Sequence, residues 1–87
     1  MMFYVYVLRS AENDRCYVGY TGNLERRLHE HDLKNVYSTA RLVNPALVYY
    51  EAFVSEEDAR RREQYLKTTK GKAGLKLILR YTFAASK

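Results

Sequence analysis

An 87-residue chain predicts one domain over residues 1–87 and leaves no length for a second. With 47% hydrophobic residues, nine tyrosines and one proline it is excluded from the disordered and low-complexity classes, and Cys16, standing alone, excludes an internal disulfide and a thiolate zinc cluster. The net charge is +5, and the opening apolar run stops at Arg9, too short for a membrane span and without a basic lead-in, so a soluble, cytoplasmic protein in a reducing setting is expected.

Phe3 to Leu8 alternates and is rich in β-branched and aromatic residues, which predicts a strand. Ala11-Glu12-Asn13-Asp14 is polar and turn-forming, and a second strand from Cys16 to Tyr20 would complete a hairpin, with Cys16 a small buried strand residue. Thr21-Gly22-Asn23 ends that strand, and Asn23 is a good N-cap for a helix from Leu24 to about Leu33. Lys34 to Asn44 has no clear period and is expected to be a loop that closes at Asn44-Pro45, before a third strand over Ala46 to Phe53. Ser55 caps a second helix, to about Thr69, whose first turn carries Glu56, Glu57 and Asp58 at the end that favours acids. Gly71 and Gly74 are expected to break the helix between Lys70 and Gly74, and Leu75, Ile78 and Leu79 mark a final helix to about Phe83. The order β-β-α-β-α-α predicts an α+β fold, a layered α/β arrangement in which a small three-stranded antiparallel sheet is flanked by helices.

Charge is unevenly spread. Arg60, Arg61, Arg62, Lys67, Lys70, Lys72, Lys76 and Arg80 stand against Glu63 alone, leaving seven basic against nine acidic residues elsewhere. Such a block fits a phosphate-backbone footprint and fits a solvated helix surface equally well.

Helix periodicity sorts the polar residues. Leu24, Arg27, Leu28 and His31 share one face of the first helix, and Ala59, Arg62, Glu63 and Leu66 one face of the second. A carboxylate on that stripe needs a cation, a metal or an opening to water, because an unpaired buried charge is costly. Strand alternation puts Tyr4, Tyr6 and Leu8 on one surface and Tyr17 beside Gly19, so that Tyr6 and Tyr17 lie side by side and Gly19 leaves room for a ligand backbone. Taken singly, the tyrosines are packing residues, Arg27 and Glu63 are each other's salt-bridge partners, and His31 is a hydrogen-bonded helix-end residue. His29 and His31 are two apart and cannot jointly bind one metal. Taken together, two phenols, a guanidinium and a carboxylate facing one sheet surface form a polar cluster without a structural need.

The run Tyr4-Val5-Tyr6, about ten residues, Tyr17-Val18-Gly19, then Thr21, Asn23-Leu24, Arg26-Arg27-Leu28 and His31 resembles the core of the GIY-YIG nuclease superfamily. Ala59-Arg60-Arg61-Arg62-Glu63 is similar to that family's metal-binding glutamate helix. Tyr4 stands where the name motif has glycine. The resemblance covers nearly the whole chain and is greatest to the small stand-alone bacterial members, the YhbQ-like group. It implies hydrolysis of nucleic-acid phosphodiesters, of DNA before RNA and of damaged or branched forms among them, with one divalent ion, Mg2+ or Mn2+. Tyr6, Tyr17, Arg27 and His31 would be catalytic and Glu63 the metal ligand. Arg27 would hold the phosphate, Tyr6 or Tyr17 would orient or deprotonate the attacking water, and His31 would support them or relay a proton. A phenol acting as base near neutral pH needs a lowered pKa. Gly19, Arg41, Arg60, Lys67, Lys70 and Lys72, or a protein partner, would supply substrate affinity. Two alternatives remain open: a non-catalytic nucleic-acid binder that keeps the fold and basic surface, and a protein-interaction module whose polar cluster serves stability.

Overall fold

The computed structural model of the protein describes residues 1–13, 15–32 and 42–85, so most of the loop expected before Asn44, and Arg41 with it, lies outside the described residues. The alternating N-terminal run forms β1 (Phe3–Arg9), the central strand of an antiparallel sheet ordered β2-β1-β3. On one side lies β2 (Cys16–Thr21), with Tyr6 opposite Gly19 and Leu8 opposite Tyr17. On the other lies β3 (Ala46–Phe53), with Tyr6 opposite Tyr50 and a register shift between Val7 and Leu8.

Strand alternation gives the sheet two unlike faces. Val5, Val7 and Val18 form the aliphatic face and pack with Ala59, Leu66, Leu75 and Leu79; Phe3, Tyr20, Tyr49, Phe53 and Phe83 close around them. Complete burial of such a side chain is worth about 1.5–3 kcal/mol, so this layer supplies most of the driving force for folding. Tyr4, Tyr6, Leu8, Tyr17 and Gly19 face the other way.

Asn23 caps α1 (Leu24–Asp32) by accepting from the Arg26 amide at 3.0 Å, and Ser55 caps α2 (Glu56–Leu66) by accepting from the Asp58 amide at 3.4 Å. The helical part that follows departs from expectation. Glycines 71 and 74 do not break a helix; both lie inside α3 (Thr69–Ile78), whose N-cap is Thr68, accepting from the Gly71 amide at 3.1 Å. The interruption falls at Lys67 and Thr68 instead. Gly71 is needed for a different reason: a Cβ there would overlap the Tyr65 carbonyl and sit 2.7 Å from Leu66 Cα, so its absence lets α3 fold back on the end of α2. After Leu79 a short α4 (Arg80–Ala85) extends the predicted order. Among the described residues no helix is long and apolar enough to cross a membrane.

Cys16 corrects another expectation: it is exposed, at the start of β2, which among the described residues has no strand on its outer side.

Candidate active site

Helix α1 lies over the tyrosine face of the sheet. Arg27 and His31 are one turn apart on α1 and point the same way, so both reach the phenols that β1 and β2 present. The Tyr6 hydroxyl and His31 Nε2 are 2.8 Å apart, and Arg27 Nε donates to the same hydroxyl at 3.4 Å. Tyr6, Tyr17 and His31 form an aromatic triangle, with ring centroids 6.2 Å apart for the two tyrosines, 5.6 Å for Tyr6 and His31 in a T-shaped pair, and 5.5 Å for Tyr17 and His31. Edge-to-face pairs of this kind fix ring orientation as well as burying area.

The cluster has two tiers. Tyr6 is fully buried and His31 is 3% exposed, whereas the Arg27 side chain is 35% exposed and Tyr17 is half-buried. Burial pushes the Tyr6 phenol up to about 12, against the opposing pull of the Arg27 hydrogen bond. Burial first, and the Arg27 charge second, hold His31 below its ordinary value. At neutral pH the imidazole is therefore uncharged and Tyr6 protonated. The Tyr6 hydroxyl thus links the two helix residues, accepting from Arg27 and sharing a hydrogen bond with His31 Nε2. Tyr6 is sealed from solvent and its pKa is raised, the opposite of what a phenol acting as a base near neutral pH requires.

Gly19 is also corrected. The space above it is filled by Tyr6 rather than left for a ligand: a Cβ on Gly19 would overlap Cζ and the hydroxyl of Tyr6 and come within 2.8 Å of Tyr17. The glycine makes the phenol's position possible.

Arg27 and Glu63 do not pair. Arg27 Nη1 donates to Glu30 at 3.1 Å, three residues along the same helix, and Glu63 accepts from Lys67 Nζ at 3.0 Å and from Gln64 at 3.4 Å. Among the described residues no hydrogen bond or ion pair joins Glu63 to Tyr6, Tyr17, Arg27 or His31, so the structure brings together four of the five predicted site residues. Helix α2, which carries Glu63, packs through Ala59 and Leu66 on the aliphatic face.

Sequence reasoning missed a second polar assembly. Arg62 makes a bidentate pair with Glu51 at 2.9 Å for each bond, and Tyr49 donates to Glu51 at 2.5 Å. Burial would raise the Glu51 carboxyl, but the Arg62 and Tyr49 bonds outweigh it and hold the pKa low. This clamp ties α2 to β3 and so sets the placement of Glu63. It was readable: alternation puts Tyr49, Glu51 and Phe53 on one face of β3, where an acid requires a cation.

The basic residues divide. Arg60 binds Glu56 at 3.1 Å and lies 4.6 Å over the Tyr20 ring, and Lys67 is occupied by Glu63. Lys70 and Lys72 are exposed on α3 and make no ion pair among the described residues.

Among the described residues no group of three or more His, Cys, Asp and Glu can enclose a metal. Glu63 fits a more open kind of site. Its carboxylate is hard, 16% exposed and paired with the exposed Lys67, which suits an ion that takes one protein carboxylate and fills its other positions with water and phosphate.

A β-hairpin that aligns two tyrosines, a crossing helix that adds arginine and histidine, and a following helix that carries Glu63 define a GIY-YIG-type domain. Residues 2–76 match the sequence model of the GIY-YIG catalytic domain, and the chain belongs to that nuclease family. It is 37% identical over 76 residues to a UPF0213 protein of Staphylococcus haemolyticus, covering 86% of this chain and 92% of that one. To a UPF0213 protein of Clostridium perfringens it is 36% identical over 78 residues, covering 88% and 83%. A UPF0213 protein from Bacillus halodurans, solved in solution by NMR, superposes with a TM-score of 0.57 at 32% identity, covering 90% of this chain and 85% of that one. These relatives place the chain with the small YhbQ-like members of the family, and the shared fold agrees with the predicted α+β class.

Proposed function

We propose that the protein is an endonuclease that hydrolyses phosphodiester bonds of nucleic acid, DNA before RNA, with a divalent ion at Glu63. The observation that carries this reading is the state of Arg27. Its Nε is fixed to a buried phenol and its Nη1 to Glu30, while Nη2 has no partner among the described residues and the side chain stays open to solvent beside Tyr17. A guanidinium held this way is ready to hydrogen-bond a phosphate oxygen and to offset charge that grows in the transition state, without paying for reorganisation first.

The other residues take roles that follow from their tier. Tyr6 and neutral His31 position Arg27 from below; Tyr17, at the surface, orients the attacking water. Lys70, which makes no ion pair among the described residues, extends the phosphate contacts. An ion at Glu63, Mg2+ or Mn2+, would polarise the phosphate and stabilise the leaving oxygen. Damaged or branched DNA is the substrate to test first, since the domain offers little surface for reading sequence.

The test is cleavage of a panel of single-stranded, nicked and branched DNA in Mg2+. The reading predicts product from the native chain that disappears on chelation and in Glu63→Ala. Equal products from native and Glu63→Ala protein would refute it. The separation of Glu63 from the aromatic cluster favours a second reading, a non-catalytic nucleic-acid binder. That reading predicts no cleavage and salt-sensitive binding that survives Arg27→Ala but falls when Lys70 is neutralised.

A further inference from the structure

On the sheet face opposite Tyr6, a groove of about 730 Å3 opens between the edge strand β2 and helices α3 and α4. Its volume is that of a small-molecule site. Val18, Leu75 and Phe83 make an apolar wall, Cys16 and Ala84 complete it, and Lys72, Lys76 and Arg80 stand around it. Among the described residues no acid lines the groove. Lys72 and Lys76 lie one helical turn apart on α3, and neither forms an ion pair among the described residues. Among the described residues Arg80 binds the Leu77 carbonyl, at 3.0 Å, and the Tyr81 ring, and no acid pairs with it. Like charges at this spacing repel, and an anion placed among them would relieve the repulsion.

The wall decides what the anion is attached to. Apart from the weakly polar Cys16 thiol, it has no side chain that could replace water around a polar body. A nucleobase there would lose its hydrogen bonds, while a hydrocarbon would lose nothing. We propose that this groove binds an amphipathic organic anion, a medium-chain hydrocarbon with one anionic head, its chain against Val18, Leu75 and Phe83 and its head among Lys72, Lys76 and Arg80. The site is separate from the Arg27 cluster and does not depend on cleavage.

Decanoate is a suitable probe, below its micelle concentration, followed by amide NMR shifts. Saturable one-to-one shifts centred on Val18, Leu75 and Phe83 are expected, with binding at least tenfold weaker in Lys72→Glu/Lys76→Glu; both lysines are exposed, so the fold is retained. Cys16 gives a second readout on the unmodified chain, because it is the only cysteine: decanoate should slow its alkylation by iodoacetamide. Equal binding of decyltrimethylammonium, equal shifts with inorganic phosphate, or an unchanged alkylation rate would each overturn the proposal. So would displacement of decanoate by a single-stranded oligonucleotide shifting the same amides, which would make the groove part of the nucleic-acid path.

Discussion

On one face of the sheet Val5, Val7 and Val18 interlock with leucines from α2 and α3; on the other, His31 meets Tyr6 and Tyr17 edge to face beneath α1. The aliphatic layer is held mainly by burial, with the Arg62–Glu51 clamp tying α2 to β3 at its side. The aromatic layer is held by directed bonds: the buried Tyr6–His31 pair forms its base, and the Tyr6–Arg27 bond orients a group that reaches solvent. In a chain this small, separating the two tasks by face lets one layer stabilise the fold while the other keeps a guanidinium and a phenol accessible.

The largest test of this division is Leu66→Ala, which removes a side chain 1% exposed at the centre of the aliphatic layer. It should cost about 2–5 kcal/mol in denaturant unfolding, with cleavage by the remaining folded protein unchanged. Arg27→Ala should do the reverse. Loss of a preorganised donor typically lowers kcat by about 10²–10³, whereas the melting temperature should hardly move because the side chain is one third exposed. Gly19→Ala crosses the division: its Cβ must displace Tyr6, so it should destabilise by about 1–3 kcal/mol and also slow cleavage. Tyr6→Phe keeps the packing but strands His31 Nε2 and Arg27 Nε. Its expected cost is about 1 kcal/mol in chemical unfolding, with a fall in kcat at unchanged KM.

The smallest effect is on pH. His31 titrates below its ordinary value when folded, so as pH falls below about 6.5 the unfolded chain takes up a proton that the folded chain resists. Its stabilisation is complete above that pH and is lost as pH drops through the folded value. Tyr6 works at the other end, stabilising below pH 10 and losing its contribution as pH rises through about 12. The melting temperature should therefore fall from pH 7.5 to pH 5.5, before Glu51 begins to matter, and His31→Gln should flatten that fall. An identical slope in the variant would remove His31 from the account.

Most of the scaffold could be read from the chain because its signals are local. Asn23 and Ser55 cap the helices they were expected to cap, strand alternation put Tyr6 and Tyr17 on one surface, and helical spacing aligned Arg27 with His31. The failures share a cause, which is that the deciding contact lies outside the local pattern. Gly71 reads as a breaker until the Tyr65 carbonyl is seen pressing on it. Gly19 reads as an opening until Tyr6 fills it. Pairing Arg27 with Glu63 looked reasonable, but Glu30, three residues away on the same helix, is the nearer acid; that spacing was visible in the sequence. Cys16 reads as a small buried strand residue until the strand order shows that β2 is an edge of the described sheet.

The central claim is that nucleic acid meets the protein on the aromatic face, through Arg27. Titration of a short phosphorothioate-substituted DNA into the native chain, read as residue-level NMR shifts, tests this directly. The account predicts the strongest changes at Arg27, with Tyr17 next. Changes confined to Lys70, Lys72 and Lys76 on α3, leaving Arg27 and Tyr17 untouched, would contradict it.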